Sequence, residues 1–344
     1  MEVIWILMLV TVVLLVFFDY TNGFNDTANM VGTVIATRAM SPSQAIALVS
    51  FFTFLGPLLG GTAVADTLGQ FINLGDRSAR TAVTIVFSGV LGAVAWNLLT
   101  WWRGLPSSST HALVGGLIGA VLVAAGSDHV NWGWVALVER GEWEGVMKII
   151  AALLFSPLLG LLVGFLFLHL LKLLLRGATP KVNRPLRRLQ WLGVAWLAFS
   201  HGANDGQKSM GVITMVLLLG GQLQQFEVPF WVVLLCASAI TLGTASGGWR
   251  IVRTVGFGIY RMRPIHGFTS QMAASIVISG AASFGAPVST TQLVSSTIMG
   301  AGAADRPKAV RWGKAGEILF TWLITMPGTS LAGAVCYFLL GSLI

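Results

Sequence analysis

The chain has 344 residues, of which 55% are hydrophobic and only 10% charged, and its formal charge is +8. Soluble domains carry about 25% charged residues, so this composition excludes a soluble enzyme and points to an integral, all-α membrane protein. The positive charge is gathered in a few loops, which is the pattern of membrane topology and not of nucleic-acid binding. Cys236 and Cys336 lie in apolar segments and suggest neither a disulfide framework nor a metal site.

In chain order, residues 3–18, 46–64, 146–175 and 230–247 approach or exceed the roughly 20 apolar residues of a spanning helix. The N-terminus lacks a basic segment and a small-residue cleavage site, so it is expected to persist as a mature helix. Arg38 marks an inside turn and places the N-terminus outside. Segments 79–101 and 106–126 together return outward, either as two spans or as a span with a re-entrant hairpin. The loop 128–144 is acidic (Asp128, Glu139, Glu142, Glu144) and reads as outside. Residues 172–188 carry Lys172, Arg176, Lys181, Arg184, Arg187 and Arg188 with no acid, and Pro180 and Pro185 are expected to break any helix there. That loop is cytoplasmic by the positive-inside rule. Arg250, Arg253, Arg261 and Arg263 mark a second inside loop, and Arg306, Lys308, Arg311 and Lys314 a third, so the C-terminus is expected outside. Trp101, Trp102, Trp132, Trp134 and Trp249 fit interfacial belts.

The two halves repeat. Gly23-Phe-Asn-Asp26 is echoed by Gly202-Ala-Asn-Asp205, Leu55-Gly56 with Gly60-Gly61 by Leu242-Gly243 with Gly247-Gly248, and Pro106-Ser-Ser-Ser-Thr-His111 by Pro287-Val-Ser-Thr-Thr-Gln292. Three pairs in the same order indicate an internal duplication. With the first half starting outside and the second inside, the repeats are inverted: residues 1–175 and 189–344, joined by a basic linker at 176–188. As one helix, residues 2–37 would be about 54 Å long against a hydrocarbon core of about 30 Å. A bend or break is therefore expected near Gly23, and by the same reasoning near Gly202, creating a polar site at the membrane midplane.

Acids and amides beside these glycines are costly in a membrane and read as functional. Asn22, Asn25 and Asp26 from one half and Asn204 and Asp205 from the other are hard oxygen ligands suited to Na⁺ or H⁺, and are assigned to a coupling cation, with Asn22 auxiliary. Ser108, Ser109 and Thr110, and Ser289, Thr290 and Thr291, follow prolines that favour a helix start, which makes an anion site of hydroxyls and free N–H groups. Gln207, from the second acidic cluster, is counted with the anion site. An anion beside two acids is repelled unless cations intervene, so obligatory cation coupling is expected. Lys208 could neutralise part of the site. His111 could bind substrate or shuttle a proton. Asp19 and Glu317 lie near helix ends where solvation is plausible, and Glu317, beside Thr321 and Thr325, is also a candidate for the ion path.

At these residues the chain resembles the inorganic phosphate transporter family. The resemblance rests on Gly23-Phe-Asn-Asp-Thr-Ala-Asn29 with Ala36-Thr-Arg-Ala-Met-Ser-Pro42, on His201-Gly-Ala-Asn-Asp-Gly-Gln-Lys208 and on Pro287-Val-Ser-Thr-Thr-Gln292, and spans nearly the whole chain. It implies symport of inorganic phosphate with Na⁺ or H⁺ and no further cofactor, an inverted-repeat fold with broken helices and re-entrant hairpins, and often a homodimer in the plasma membrane. Gln292 stands where many members have histidine. The short basic loop in place of a large hydrophilic one is the prokaryotic pattern. Some relatives carry sulfate, and the intact Asn-Asp pairs fit the phosphate branch. An intramembrane hydrolase using Ser109, His111 and Asp26, and a phosphate-gated channel, are the other readings open to these residues.

Overall fold

A backbone in hydrocarbon must satisfy its own polar groups, and a chain without barrel alternation can do so only as helices. The computed structural model describes residues 2–248, 251–252 and 254–341, and among these it is helical throughout apart from loops and one isolated bridge between Ile72 and Val130. Trp249, Arg250 and Arg253 lie outside the described residues.

The first half comprises α1 (Glu2–Ala36), α2 (Pro42–Leu59), the short α3 (Ala63–Gly69), α4 (Ala79–Arg103), α5 (Ser109–Ala124), the short α6 (Trp134–Arg140) and α7 (Gly145–Leu174). The second comprises α8 (Asn183–Leu219), α9 (Phe230–Ser246), α10 (Pro264–Ser283), α11 (Thr290–Asp305) and α12 (Trp312–Gly341), with a π-turn at Thr254–Gly258. Five of the described helices, α1, α2, α4, α7 and α12, are long and apolar enough to cross a membrane. On α7 the side chains of Leu154, Leu158, Leu162, Leu166 and Leu170 are all exposed. Their four-residue spacing lays them on one face, as a lipid-facing stripe requires.

Of the bend or break expected at Gly23 and at Gly202, no break occurs: α1 and α8 run through them as continuous helices. A helix longer than the hydrocarbon can tilt or project, which removes the need to break. The glycines serve close packing instead. A Cβ at Gly23 would collide with the Ile240 carbonyl of α9, and one at Gly202 with the Thr53 carbonyl of α2. Gly243 meets Tyr20 and Gly56 meets Phe199 in the same manner, so α1 on α9 and α8 on α2 are matching backbone-to-backbone contacts. The halves are interleaved elsewhere too: α5 packs on α12, and α11 on α7.

The chain break falls after α2. Gly61 takes a left-handed φ of 78°, α3 begins two residues on, and Gln207 of α8 fills the gap. Its carboxamide accepts from the Val64 (2.8 Å) and Ala65 (3.3 Å) N–H groups and donates to the Gly60 (3.2 Å) and Ala203 (2.6 Å) carbonyls. Pro185 also departs from expectation. It sits in the first turn of α8, where no intrahelical N–H is needed, so residues 183–188 of the basic linker are helical.

Two apolar cores flank a polar layer. One takes Leu15 and Phe18 of α1 with Met210, Val212 and Ile213 of α8; the other takes Ala28, Met30 and Val31 of α1 with Val194, Leu197 and Ala198 of α8. Between them lie residues 19–27 and 200–209, the two acidic motifs. At one end of the bundle Asp305 of α11 collects Lys172 of α7 (2.7 Å), Arg263 (2.7 Å) and His266 (3.2 Å) at the start of α10, and the Tyr260 hydroxyl (2.9 Å). Burial alone would raise the Asp305 carboxyl, but the hydrogen bonds from Lys172 and Tyr260 and the charges of His266 and Arg263 outweigh it and hold it below the usual carboxylate range. Burial, then the bond to Asp305, pushes the Tyr260 phenol up to about 12.

Candidate functional site

The proline-hydroxyl motifs build two helix N-termini of the same design. Ser108 caps α5, its Oγ accepting from the His111 N–H at 3.2 Å, and Ser289 caps α11, accepting from the Gln292 N–H at 3.3 Å. Both helices are 16 residues long and start inside the protein, with Ser108 and Ser289 buried. Their first turns present free N–H groups and the positive ends of two helix dipoles to the polar layer. Thr110 of α5 donates to the Val288 carbonyl at 3.2 Å, so the two starts touch.

The acids of α1 and α8 face these starts. Thr291 donates to Asp26 Oδ1 at 2.8 Å, and Thr290 to Asp205 Oδ1 at 3.0 Å. Asn29 donates to the same Asp26 oxygen (2.8 Å) and to the Thr291 hydroxyl (2.9 Å). Asp205 Oδ2 accepts from Asn22 of α1 at 3.2 Å and pairs with Lys208 Nζ at 2.7 Å. That ammonium also reaches Ser109 Oγ of α5 at 3.3 Å. Asn204, with its amide turned to satisfy its neighbours, donates to Asp205 Oδ1 (3.2 Å) and the Val288 carbonyl (3.1 Å).

Asp26, His201 and Asp205 each offer one ligand atom to a group spanning no more than 4.8 Å. At that separation two carboxylate charges repel by about 3 kcal/mol at an effective dielectric of 20, so the pair calls for positive charge between or beside them. His201 Nδ1 lies 3.4 Å from Thr290 Oγ1, and its Nε2, together with Asn22 Oδ1, Asn29 Oδ1 and Gln292 Oε1, is buried without a hydrogen-bond partner. Each of these buried polar atoms retains the capacity for one more partner.

Thus Asn22, Asp26, Ser109, Thr110, Asn204, Asp205, Lys208, Thr290 and Thr291 come together, all buried. Ser108 and Ser289 stand behind them as caps, and Ser108 also bonds His111 Nδ1 at 2.7 Å. Three residues lie elsewhere. Asn25 is half-buried and turns to the Asn97 carbonyl of α4 at 3.4 Å. Gln207 has spent its amide on the α2–α3 break and does not reach the hydroxyls. Glu317 is largely exposed and paired with Lys314, while Thr321 and Thr325 bond back to their own helix, so this group stands apart from the acidic pair. Asp19 is not near a solvated end: it is fully buried mid-helix and accepts from Ser209 of α8 at 2.6 Å. Asn29 and His201 belong to the site although neither was singled out from the sequence as a ligand. Their position in the same short motifs as Asp26 and Asp205, residues 23–29 and 201–208, is the signal that could have found them.

Comparison with known proteins gives this geometry its context. Residues 22–333 match the model of the Phosphate transporter family. The chain is 38% identical over 342 residues to a probable low-affinity inorganic phosphate transporter of Bacillus subtilis (strain 168), covering 99% of each chain. It is 41% identical over 324 residues to one of Rhizobium meliloti (strain 1021), covering 94% of this chain and 93% of that one. Among solved structures, a sodium-dependent phosphate transporter superposes with a TM-score of 0.88 at 24% identity, covering 98% of this chain and all of that one, a likeness of fold. These relatives are transporters and permeases, which sets the hydrolase reading aside. With a family match over most of its length and relatives near 40% identity along the whole of it, this multi-pass membrane protein belongs to the phosphate transporter family.

Proposed function

We propose that the chain is a secondary active symporter that carries inorganic phosphate together with a monovalent cation, Na⁺ in preference to H⁺. The observation that supports this reading best is the meeting of two hydroxyl-tipped helix N-termini with two buried carboxylates in one layer. The first is a site for a tetrahedral anion. The second repels that anion unless a cation enters with it, which makes coupling a physical requirement. Phosphate oxygens take the hydroxyls of Ser109, Thr110, Thr290 and Thr291 and the free N–H groups of α5 and α11, with Ser108 and Ser289 holding the first turns in shape. The cation sits at the acidic pair, and Gln207 positions the site from behind. Sodium is favoured because the structural neighbour is sodium-dependent.

Transport then follows alternating access. The interleaved packing of α1 on α9 and α8 on α2 is what two inverted repeats, 1–175 and 189–344, would produce, and their movement against each other opens the layer to one side at a time. We place the protein as a homodimer in a prokaryotic plasma membrane with both termini outside. The test is radiolabelled phosphate uptake into proteoliposomes with Na⁺ and pH gradients imposed separately and sulfate as competitor. Gradient-driven uptake that sulfate does not compete for is expected. Uptake with no gradient dependence would indicate a channel, and effective competition by sulfate a broader oxyanion permease.

A further inference from the structure

The two halves of the polar layer agree in chemistry around each acid and differ at one decisive place. Gly23-Phe-Asn-Asp-Thr-Ala-Asn29 aligns with Gly202-Ala-Asn-Asp-Gly-Gln-Lys208, so Asn29 and Lys208 occupy the same position, three residues after the acid. In each half this side chain folds back onto its own carboxylate, Asn29 Nδ2 to Asp26 at 2.8 Å and Lys208 Nζ to Asp205 at 2.7 Å. One of the two is a neutral amide and the other an ammonium.

Around Asp205 the places that a small cation would take are filled. Lys208, Asn22, Thr290 and the turned amide of Asn204 supply its donors, His201 Nδ1 lies 3.8 Å away, and Lys208 is fully buried with Ser109 as its other partner. Around Asp26 the donors are neutral, Asn29 and Thr291. The buried Oδ1 of Asn29 has no partner; the unpartnered Asn22 Oδ1 and His201 Nε2 belong to side chains that also contact Asp205, and His201 offers its ligand atom within 4.8 Å of both acids. Of the remaining titratable neighbours, His111 of α5 is bonded to Ser108, and Asp19 of α1 is a third buried acid whose Oδ1 accepts from Ser209 and whose Oδ2 has no partner. Lys208 is paired with Asp205, whereas among the described residues no lysine or arginine pairs with Asp26.

We infer that Lys208 is a tethered cation standing in for one coupling ion, so that a single mobile monovalent cation, held on the Asp26 side, accompanies each phosphate. This rests on the symport reading and specifies its stoichiometry. A lysine three residues along the same helix costs no binding entropy and cannot dissociate, so it neutralises Asp205 in every state of the cycle. Only the Asp26 half then draws on a gradient.

The measurement is phosphate accumulation at static head in proteoliposomes with the membrane potential clamped at zero, run once on a tenfold Na⁺ gradient and once on a tenfold H⁺ gradient. On the Na⁺ gradient, at equal pH on both sides, one cation per phosphate gives about tenfold accumulation and two give about 100-fold, since each cation contributes its own gradient; on the H⁺ gradient the same ratios hold for the phosphate monoanion, whose share of the total differs between the two sides. We expect about tenfold for the native protein on one of the two gradients. Accumulation of 100-fold would overturn the inference while leaving symport intact, whereas none on either gradient would remove the symport reading itself. Lys208→Asn makes the second half like the first and should raise the ratio to 100-fold. Weaker phosphate affinity at an unchanged ratio would show Lys208 to be a phosphate ligand and overturn the assignment. Asn29→Lys should give phosphate exchange with no accumulation on either gradient. If neither variant folds, the native ratio decides.

Discussion

Thr291 donates a hydrogen bond to Asp26 across 2.8 Å, tying the first turn of α11 to the middle of α1, residues 265 positions apart in the chain. The hydroxyl proposed for the anion and the carboxylate proposed for the cation are therefore one linked unit, and phosphate taking the first would leave the second to another partner. Thr291→Val should raise the phosphate concentration for half-maximal uptake by about tenfold, the value of a hydrogen bond to a charged group, about 1.5 kcal/mol. It should also change the cation dependence, because Asp26 loses a donor. A phosphate effect with an unaltered cation curve would separate the two sites.

Asp26→Asn keeps the shape of the site and removes its uncompensated charge. Cation-driven uptake should fall at least about tenfold, as expected when a charge that must bind a partner is lost, while phosphate exchange down its own gradient persists. Retained uphill uptake with native cation dependence would exclude Asp26 as a cation ligand.

Gln207 separates a binding role from a positioning role. Its four hydrogen bonds all go to backbone at residues 60–65 and 203. Gln207→Leu leaves buried N–H and C=O groups unpaired, at about 1–3 kcal/mol each, so the thermal midpoint of the detergent-solubilised protein should drop by several degrees. Half-maximal phosphate in the folded fraction should move less than about twofold. A large phosphate effect without a stability change would return Gln207 to the anion site.

Gly202→Val should prevent folding or sharply reduce expression, because α8 and α2 touch through backbone there. Gly313→Ala, where a Cβ meets nothing within 4 Å, should be neutral. Thermal stability of the pair measures the contrast.

Asp305 provides a pH signature. Its carboxyl is held below its unfolded value of about 3.9, so its contribution is fully present above that value and is lost only as pH falls through the lower folded value. The stability difference between native protein and Asp305→Asn should be constant from pH 5 to 8 and shrink below pH 4.

Much of the architecture was legible in one dimension. The span at 146–175 corresponds to α7 (Gly145–Leu174), 230–247 to α9 (Phe230–Ser246) and 79–101 to α4 (Ala79–Arg103), because each carries a long unbroken apolar run. Helix α10 went unseen since Thr269, Ser270, Gln271 and Ser275 are polar yet buried, and hydropathy cannot show a partner such as Thr33, which accepts from Gln271 at 2.8 Å. The same limit misplaced Asp19.

By itself the sequence determined the membrane class, the duplicated motifs and the residue types of the site, since composition and repetition are properties of the string. Only the tertiary structure decided that α1 and α8 pass Gly23 and Gly202 unbroken, that Gln207 serves a chain break, and that Lys208 neutralises Asp205 while Asp26 meets only neutral donors. A glycine that permits contact and a glycine that permits a break are written alike. What distinguishes them is the element packed against it, and that element comes from the other half of the chain.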